Sequence, residues 1–393
     1  MPSKQRWPII TDADRAALHR VLDRGVLSGA GAPEMRALEG EFAATLGGGF
    51  CLATNSGTSA LHCALGAAGL GPGDEVIVPA LSFIATAQAV LHTGARPVFA
   101  DVLPGTYNID PEDAARRITP RTRAIVPVHL HGLPADMDAI TALAATAELV
   151  VIEDAAQAHG ASYRGRPVGT LGTMAAFSLN STKNFPAGEG GLFVTASETL
   201  WARAARVRFD GLEPPSKWDP ARPLDDEADS LATVTGWMYL PGELTCALAR
   251  AQLTRLPETT ERARRNGAHL NARLAALPGV VTPAVPDDRT HVFHKYRLGL
   301  DPARAGLGIT PRALRERLRS ALEAEGVDAV LWQEVPLPSH PLFDSREPYP
   351  VAASALDGSI IIGSQSHPLF AQPLDVVDAW ADAFERVWRS LPS

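Results

Sequence analysis

Leu149 to Ala156 reads LVVIEDAA. Four apolar residues run without alternation, two carboxylates close the run, and small residues follow. A strand that is apolar at every position belongs inside a sheet covered on both faces. Four earlier runs share this texture: FCLATNS from Phe50, DEVIVPA from Asp74, RPVFADV from Arg96 and RAIVPVHLHG from Arg123. Between them lie segments of helical length rich in alanine and leucine: TSALHCALGAAG, FIATAQAVLHTG and MDAITALAATAE. Strands alternating with helices predict right-handed crossovers and a mostly parallel sheet. TMAAFSLN and GGLFVTA then follow too closely for a helix between them. They are expected to form an added pair of strands, with Lys183 in their connection.

The remainder divides by texture. Residues 211–232 are rich in Pro and Asp and read as a long loop. Helices are expected from about Pro241 to Leu277, with Leu244, Ala247, Leu248 and Ala251 on one face. After Gly279, short strand and helix pieces alternate and suggest a smaller α+β domain. The expected division is a large domain, with the N-terminal segment, over 1–255 and a small one over 256–393. The length of 393 residues suits two packed units.

Hydrophobic residues make up 46% and charged residues 20%, enough apolar content for a sizeable core. The net charge of −8 and the lack of a long basic run argue against nucleic acid as a partner. Cys51, Cys63 and Cys246 are far apart and odd in number, which suggests neither a zinc site nor a disulfide framework. The N-terminal MPSKQRWPIITDADR has no apolar signal core, and no apolar run reaches membrane-spanning length. A cytoplasmic protein without membrane contact is expected.

Ligands of open parallel sheets bind beyond the carboxyl ends of the strands. After FCLAT comes NSGTSAL. Its Gly57-Thr58-Ser59 turn at a helix start offers free N–H groups and hydroxyls that suit a phosphate. By itself the segment is also an ordinary N-cap. No GK[ST] follows it, and SGAGAPEM (Ser28–Met35) is not a GxGxxG, so a nucleotide fold is disfavoured. Glu153 and Asp154 end an apolar strand, where a carboxylate needs donors, a cation or a helix to cap. Phe83 follows another strand; alone, it reads as core. Ser178 precedes Lys183 by five residues. A lone loop lysine is ordinarily solvated, but this set supplies a phosphate cradle, an aromatic plane, a buried carboxylate and an amine. Those are the needs of pyridoxal 5'-phosphate (PLP).

EDAAQAHGA, FSLNSTKN followed by GEGG, NSGTSAL and GDEVIVP closely resemble motifs of the DegT/DnrJ/EryC1/StrS family of PLP-dependent sugar and cyclitol aminotransferases. The resemblance runs from about Leu27 to Gly191 and weakens after Phe209. It implies an α/β, fold-type-I aminotransferase architecture and a homodimer with shared active sites. It implies that Lys183 is the Schiff-base lysine and that Asp154 partners the pyridine nitrogen. Gln157 then matches the contact to the ring hydroxyl, Phe83 the stacking aromatic, and Gly57, Thr58 and Ser178 the phosphate contacts. Ser59 is expected to add a backbone donor, and His159 is a weaker candidate. His129 and His131, within VPVHLHGLPADMD, are not expected to hold a metal.

The implied reaction moves an amino group from L-glutamate or L-glutamine to a keto sugar or ketocyclitol, in antibiotic or related amino-sugar biosynthesis. A lyase (deaminase or dehydratase) on the same fold is the alternative. Two stretches depart from the family. Where many relatives have GYNYRM, this chain has GWMYLP (Gly236–Pro241), so Met238 replaces an Asn that reaches the neighbouring subunit's phosphate. Methionine cannot donate that hydrogen bond. Trp237 or Tyr239 is left to approach the partner's site. Where a His-Tyr pair is usual, AVLWQEVPLPSHPLF (Ala329–Phe343) has Trp332-Gln333, which leans toward a cyclitol or unusual sugar.

Overall fold

The computed structural model describes residues 1–213, 231–343, 345 and 347–391. Most of the long loop expected at 211–232 lies outside them. The chain forms β1 (Phe50–Thr54), β2 (Glu75–Pro79), β3 (Arg96–Ala100), β4 (Thr122–Ile125) and β5 (Val150–Asp154). A short hairpin, β6 (Ser162–Tyr163) and β7 (Arg166–Pro167), is followed by β8 (Met174–Ser178) and β9 (Gly191–Thr195). Seven of these make one sheet in the order β1-β9-β8-β5-β4-β2-β3. Neighbours from β8 to β3 run parallel. β9 is antiparallel to both β1 and β8, so the strand after Lys183 is inserted inside the sheet. Every residue of β2, β8 and β9 is buried. That is why their sequences do not alternate: helices cover both faces.

The parallel arrangement brings the ends of β1, β2, β5 and β8 to one edge. β1 leads into the helix Gly57–Ala67, whose N-cap Ser56 accepts from Ser59 N–H. β2 leads to Phe83, β5 ends in Asp154 and β8 in Ser178.

A second sheet is formed by β10 (Val280–Val281), β11 (Tyr296–Leu300), β12 (Ala329–Val330) and β13 (Ser359–Ile362), in the order β10-β11-β13-β12 and antiparallel throughout. The helices Leu256–Leu274, Pro311–Ala324 and Leu374–Ser390 close its core around Leu274, Leu318, Trp380 and Phe384.

The chain crosses between the two cores at both ends. The N-terminal segment, expected with the large unit, packs on the smaller one. Lys4 pairs with Asp328 at 2.5 Å, Trp7 N–H donates to Ser366 O, and the Trp7 ring meets Phe370 edge-on. In the other direction, Leu337 and Tyr349 belong to the large core, and Asp101 accepts from Val351 and Ala352 N–H. The helix Glu243–Leu253 buries more than the one expected face. Leu244 is exposed, while Cys246, Ala249 and Leu253 join the main core and Ala247 packs on Ala17 and Val21. Two N-terminal helices, Asp12–Arg24 and Pro33–Thr45, cover it from different sides, so its buried surface is wider than one stripe.

Candidate active site

Lys183 sits in a turn fixed by its neighbours. Asn180 Oδ1 accepts from Thr182 N–H and hydroxyl, and Lys183 N–H donates to Asn180 O. Leu179 N–H to Gly190 O and Ser181 N–H to Gly188 O tie the two sides of the connection together. From outside, Trp7 Nε1 donates to Lys183 O at 3.1 Å, and Asn184 holds Val292 O and His294. The amine faces a cavity of about 490 Å³. Burial pushes the Lys183 ammonium down to about 8, although Asp154 and Glu189 pull the other way.

The cavity gathers most of the expected site. Ser56, Gly57, Thr58, Phe83, Asp154, Gln157, Ser178 and Lys183 all line it. Gly57 is required by a close approach. A Cβ there would lie 2.7 Å from the Ser178 Cβ, so only glycine lets the helix start meet the end of β8. A Cβ on Gly191 would fall 2.3 Å from Ser56 O, which packs β9 under the same turn. The result is a pocket floor of backbone N–H groups and hydroxyls at a helix N-terminus, chemically suited to an anion.

Asp154 is held at the opposite chemical extreme. Its Oδ2 accepts from Thr86 Oγ1 at 2.7 Å and its Oδ1 from Ala156 N–H at 3.2 Å. Burial raises its proton affinity against those hydrogen bonds and the Lys183 charge. Among the described residues no cation lies within ion-pairing distance of it. A cationic ring nitrogen in the cavity would supply the missing charge. Gln157 Oε1 accepts from His131 N–H at 2.8 Å, which leaves its NH2 as a donor on the cavity wall. Phe83 is 54% exposed at the cavity, a ring face without a covering layer in this chain.

Three sequence candidates lie elsewhere. Ser59 is off the cavity wall: its N–H donates to the capping Ser56 Oγ and its hydroxyl to Asn55 Oδ1, so neither is a free donor. His159 is buried between Phe177 and Phe185, and burial drives its pKa to about 3. Glu153 faces away from Asp154 and accepts from Gly169, Leu171 and Gly172 N–H and from His129. The two histidines of the HLH stretch part company. His129 bridges Glu153 and Ala135 N–H, while His131 Nε2 accepts from Arg297.

Several residues on the cavity wall had no local sequence signal: Thr86, Thr182, Glu189, His294 and Lys295. Trp332 reaches the cavity as the departure from the His-Tyr pair suggested, and Gln333 Nε2 donates to Ser82 O beside it. Trp237 and Tyr239 pack on His62, with Tyr239 hydroxyl and His62 Nδ1 3.1 Å apart. Met238 is 55% exposed, and its carbonyl accepts from Asn55, next to the helix start.

The model of the DegT/DnrJ/EryC1/StrS aminotransferase family matches residues 8–374, and the chain belongs to that family; it is an aminotransferase. Among relatives, L-glutamine:2-deoxy-scyllo-inosose aminotransferase of Micromonospora echinospora is 38% identical over 344 residues, covering 85% of this chain and 79% of that one. The dTDP-3-amino-3,4,6-trideoxy-alpha-D-glucose transaminase of Streptomyces venezuelae is 36% identical over 378 residues, 95% of this chain and 92% of that one. The crystal structure of 3-amino-5-hydroxybenzoic acid synthase superposes with a TM-score of 0.87 at 31% identity, covering 99% of this chain and 100% of that one. The fold is therefore the aminotransferase architecture expected from the motifs, a mostly parallel central sheet with a smaller second sheet.

Proposed function

We propose that this aminotransferase uses PLP to move an amino group from L-glutamate or L-glutamine to a keto sugar or ketocyclitol, in the biosynthesis of an amino-sugar or aminocyclitol natural product. One observation carries the reading: a single cavity joins an anion-binding helix start, an uncompensated carboxylate, an exposed aromatic ring and a half-buried lysine. These residues fit PLP group by group. Gly57, Thr58 and Ser178 would hold the phosphate, with Ser59 fixing the turn from behind. Phe83 would meet the ring face, Asp154 the pyridine nitrogen and Gln157 the ring hydroxyl. When bound, PLP supplies an aldehyde that captures amines and a ring that accepts carbanion electrons.

The chain's own residues supply the rest. Asp154 would keep its partner nitrogen protonated. The Lys183 amine would remove the proton from the donor's α-carbon, and in the return half would serve the carbon that receives the amino group. Burial favours its neutral, basic form, which this proton transfer needs. Trp332 beside Lys295 shapes an acceptor pocket unlike the usual one, and we assign it to a cyclitol or an unusual sugar. The 2-deoxy-scyllo-inosose named for one relative is of that class. Met238 and Phe83, both exposed beside the site, support a homodimer in which a second copy completes it. We place the enzyme in the cytoplasm, in keeping with three free cysteines.

The deciding experiment is an absorbance spectrum of the PLP-loaded protein before and after L-glutamine or L-glutamate. The yellow band should bleach with donor alone and return with a keto acid or ketocyclitol. A yellow protein that neither donor changes would remove the donor assignment. Ammonia released from an amino sugar without a keto acceptor would make it a lyase.

A further inference from the structure

Lys295 is the second lysine of the cavity, and the roles above leave it without work. It lies on the chain just before β11, with its N–H directed at His131 O. Its ammonium lies 5.9 Å from the centre of the Trp332 ring. Among the described residues no carboxylate pairs with it and no acceptor is in hydrogen-bond reach of Nζ. The surroundings add positive charge: Lys183 and Arg297 both act on it. Arg297 behind it is itself buried, bonded only to neutral groups, His131 Nε2, Ser359 Oγ and Trp332 O. Lys295 thus faces the cavity with a second cation, Arg297, behind it and no protein anion between them. A buried cation without a partner is costly. A ligand that brings an anion removes the cost.

The phosphate of the cofactor has its own cradle at the other strand ends. A neutral sugar or cyclitol brings no anion. The amino donor does: its carboxylate is bonded to the carbon that carries the reacting amine, so it must sit close to Lys183. Lys295 is close enough to Lys183 for the two charges to interact. We propose that Lys295 binds the α-carboxylate of the amino donor, recognising an amino acid by charge in one half of the cycle and facing a neutral acceptor in the other. The inference rests on the aminotransferase reading and adds the group that selects the donor.

The test uses PLP-loaded wild type and Lys295→Gln. The donor concentration giving half-maximal bleaching should rise about 10- to 100-fold with L-glutamine or L-glutamate, the range for losing one hydrogen bond to a charged group. The limiting bleaching rate should stay within a few-fold, and Lys295→Arg should recover much of the loss. L-Glutaminol, which lacks the carboxylate, should be a poor donor for wild type and no poorer for the variant. Return of the yellow band with 2-oxoglutarate should be impaired, and return with scyllo-inosose should not.

The effect should also follow pH. Burial, Lys183 and Arg297 lower the Lys295 ammonium to about 8, so donor binding weakens as pH rises through that value. His131 and His294, which face it, are held neutral well below their ordinary range and do not titrate there. Asp154 and Glu189, across the cavity, are present in both proteins. Lys183 titrates in both as well, so the difference between wild type and Lys295→Gln isolates Lys295. Binding of glutarate, a dicarboxylate without an amine, is read without turnover and should weaken in the variant. Unchanged half-saturation, equal loss with glutaminol, loss confined to the cyclitol, or a variant that no longer takes up PLP would each overturn the inference. A wild type that no donor bleaches would sink the transferase reading, and glutarate alone would then decide on Lys295.

Discussion

Glu153 and Asp154 follow one another on β5, and the pleat sends them to opposite faces of the sheet. The sequence offers them as equals. The structure gives Glu153 three backbone donors and His129, and gives Asp154 Thr86 and the cavity. Two substitutions should separate the roles. Asp154→Asn keeps the shape and removes the charge that would hold the ring nitrogen protonated. It should lower transamination about 100-fold or more, with thermal unfolding nearly unchanged. Glu153→Gln puts an NH2 group among N–H donors that need acceptors. It should cost about 2 kcal/mol in a denaturant titration and act on the chemistry only through stability. The opposite pattern would mean that the two carboxylates have been exchanged here.

One helix of this protein is capped by a partner far away in the chain. The helix Pro33–Thr45 starts after Ala32, which has no side-chain acceptor. Glu243, on the helix Glu243–Leu253, takes that place: its two oxygens accept from Glu34 and Met35 N–H at 2.9 Å each, and Arg24 pairs with it at 2.8 Å. The carboxylate is 1% exposed, so its removal strands two N–H groups and the ion pair with Arg24. Glu243→Ala should destabilise the fold by about 3 kcal/mol, read as a lower Tm, with the PLP spectrum retained in the protein that remains folded. This contact spans 209 residues, and nothing local at Ala32 or Glu243 announces it. The same distance explains why this helix buries more than one face. Periodicity identifies one stripe, and it cannot show that two other helices cover the sides.

At the scale of the molecule, the site edge is open where Phe83 and Met238 stand exposed. A second copy covering them predicts a sedimenting species of twice the chain mass, and a concentration-independent monomer would refute the shared site. The alternation of buried strands with alanine-rich helices, the strand-end positions of Asp154, Ser178 and Gly57, and Lys183 in the connection between β8 and β9 were legible in the sequence. Strand burial, turn chemistry and the ordering of crossovers are written in short windows of chain. How the chain crosses between the two cores was less so, because Trp7 packs on Phe370 and Lys4 on Asp328 while Leu337 and Tyr349 pack back. Only the tertiary structure placed Lys295 and Trp332 beside Lys183, or hung the Lys183 carbonyl on Trp7 from 176 residues away. Such neighbours are chosen by packing between separate elements, and no periodicity or spacing within one stretch of sequence carries that information.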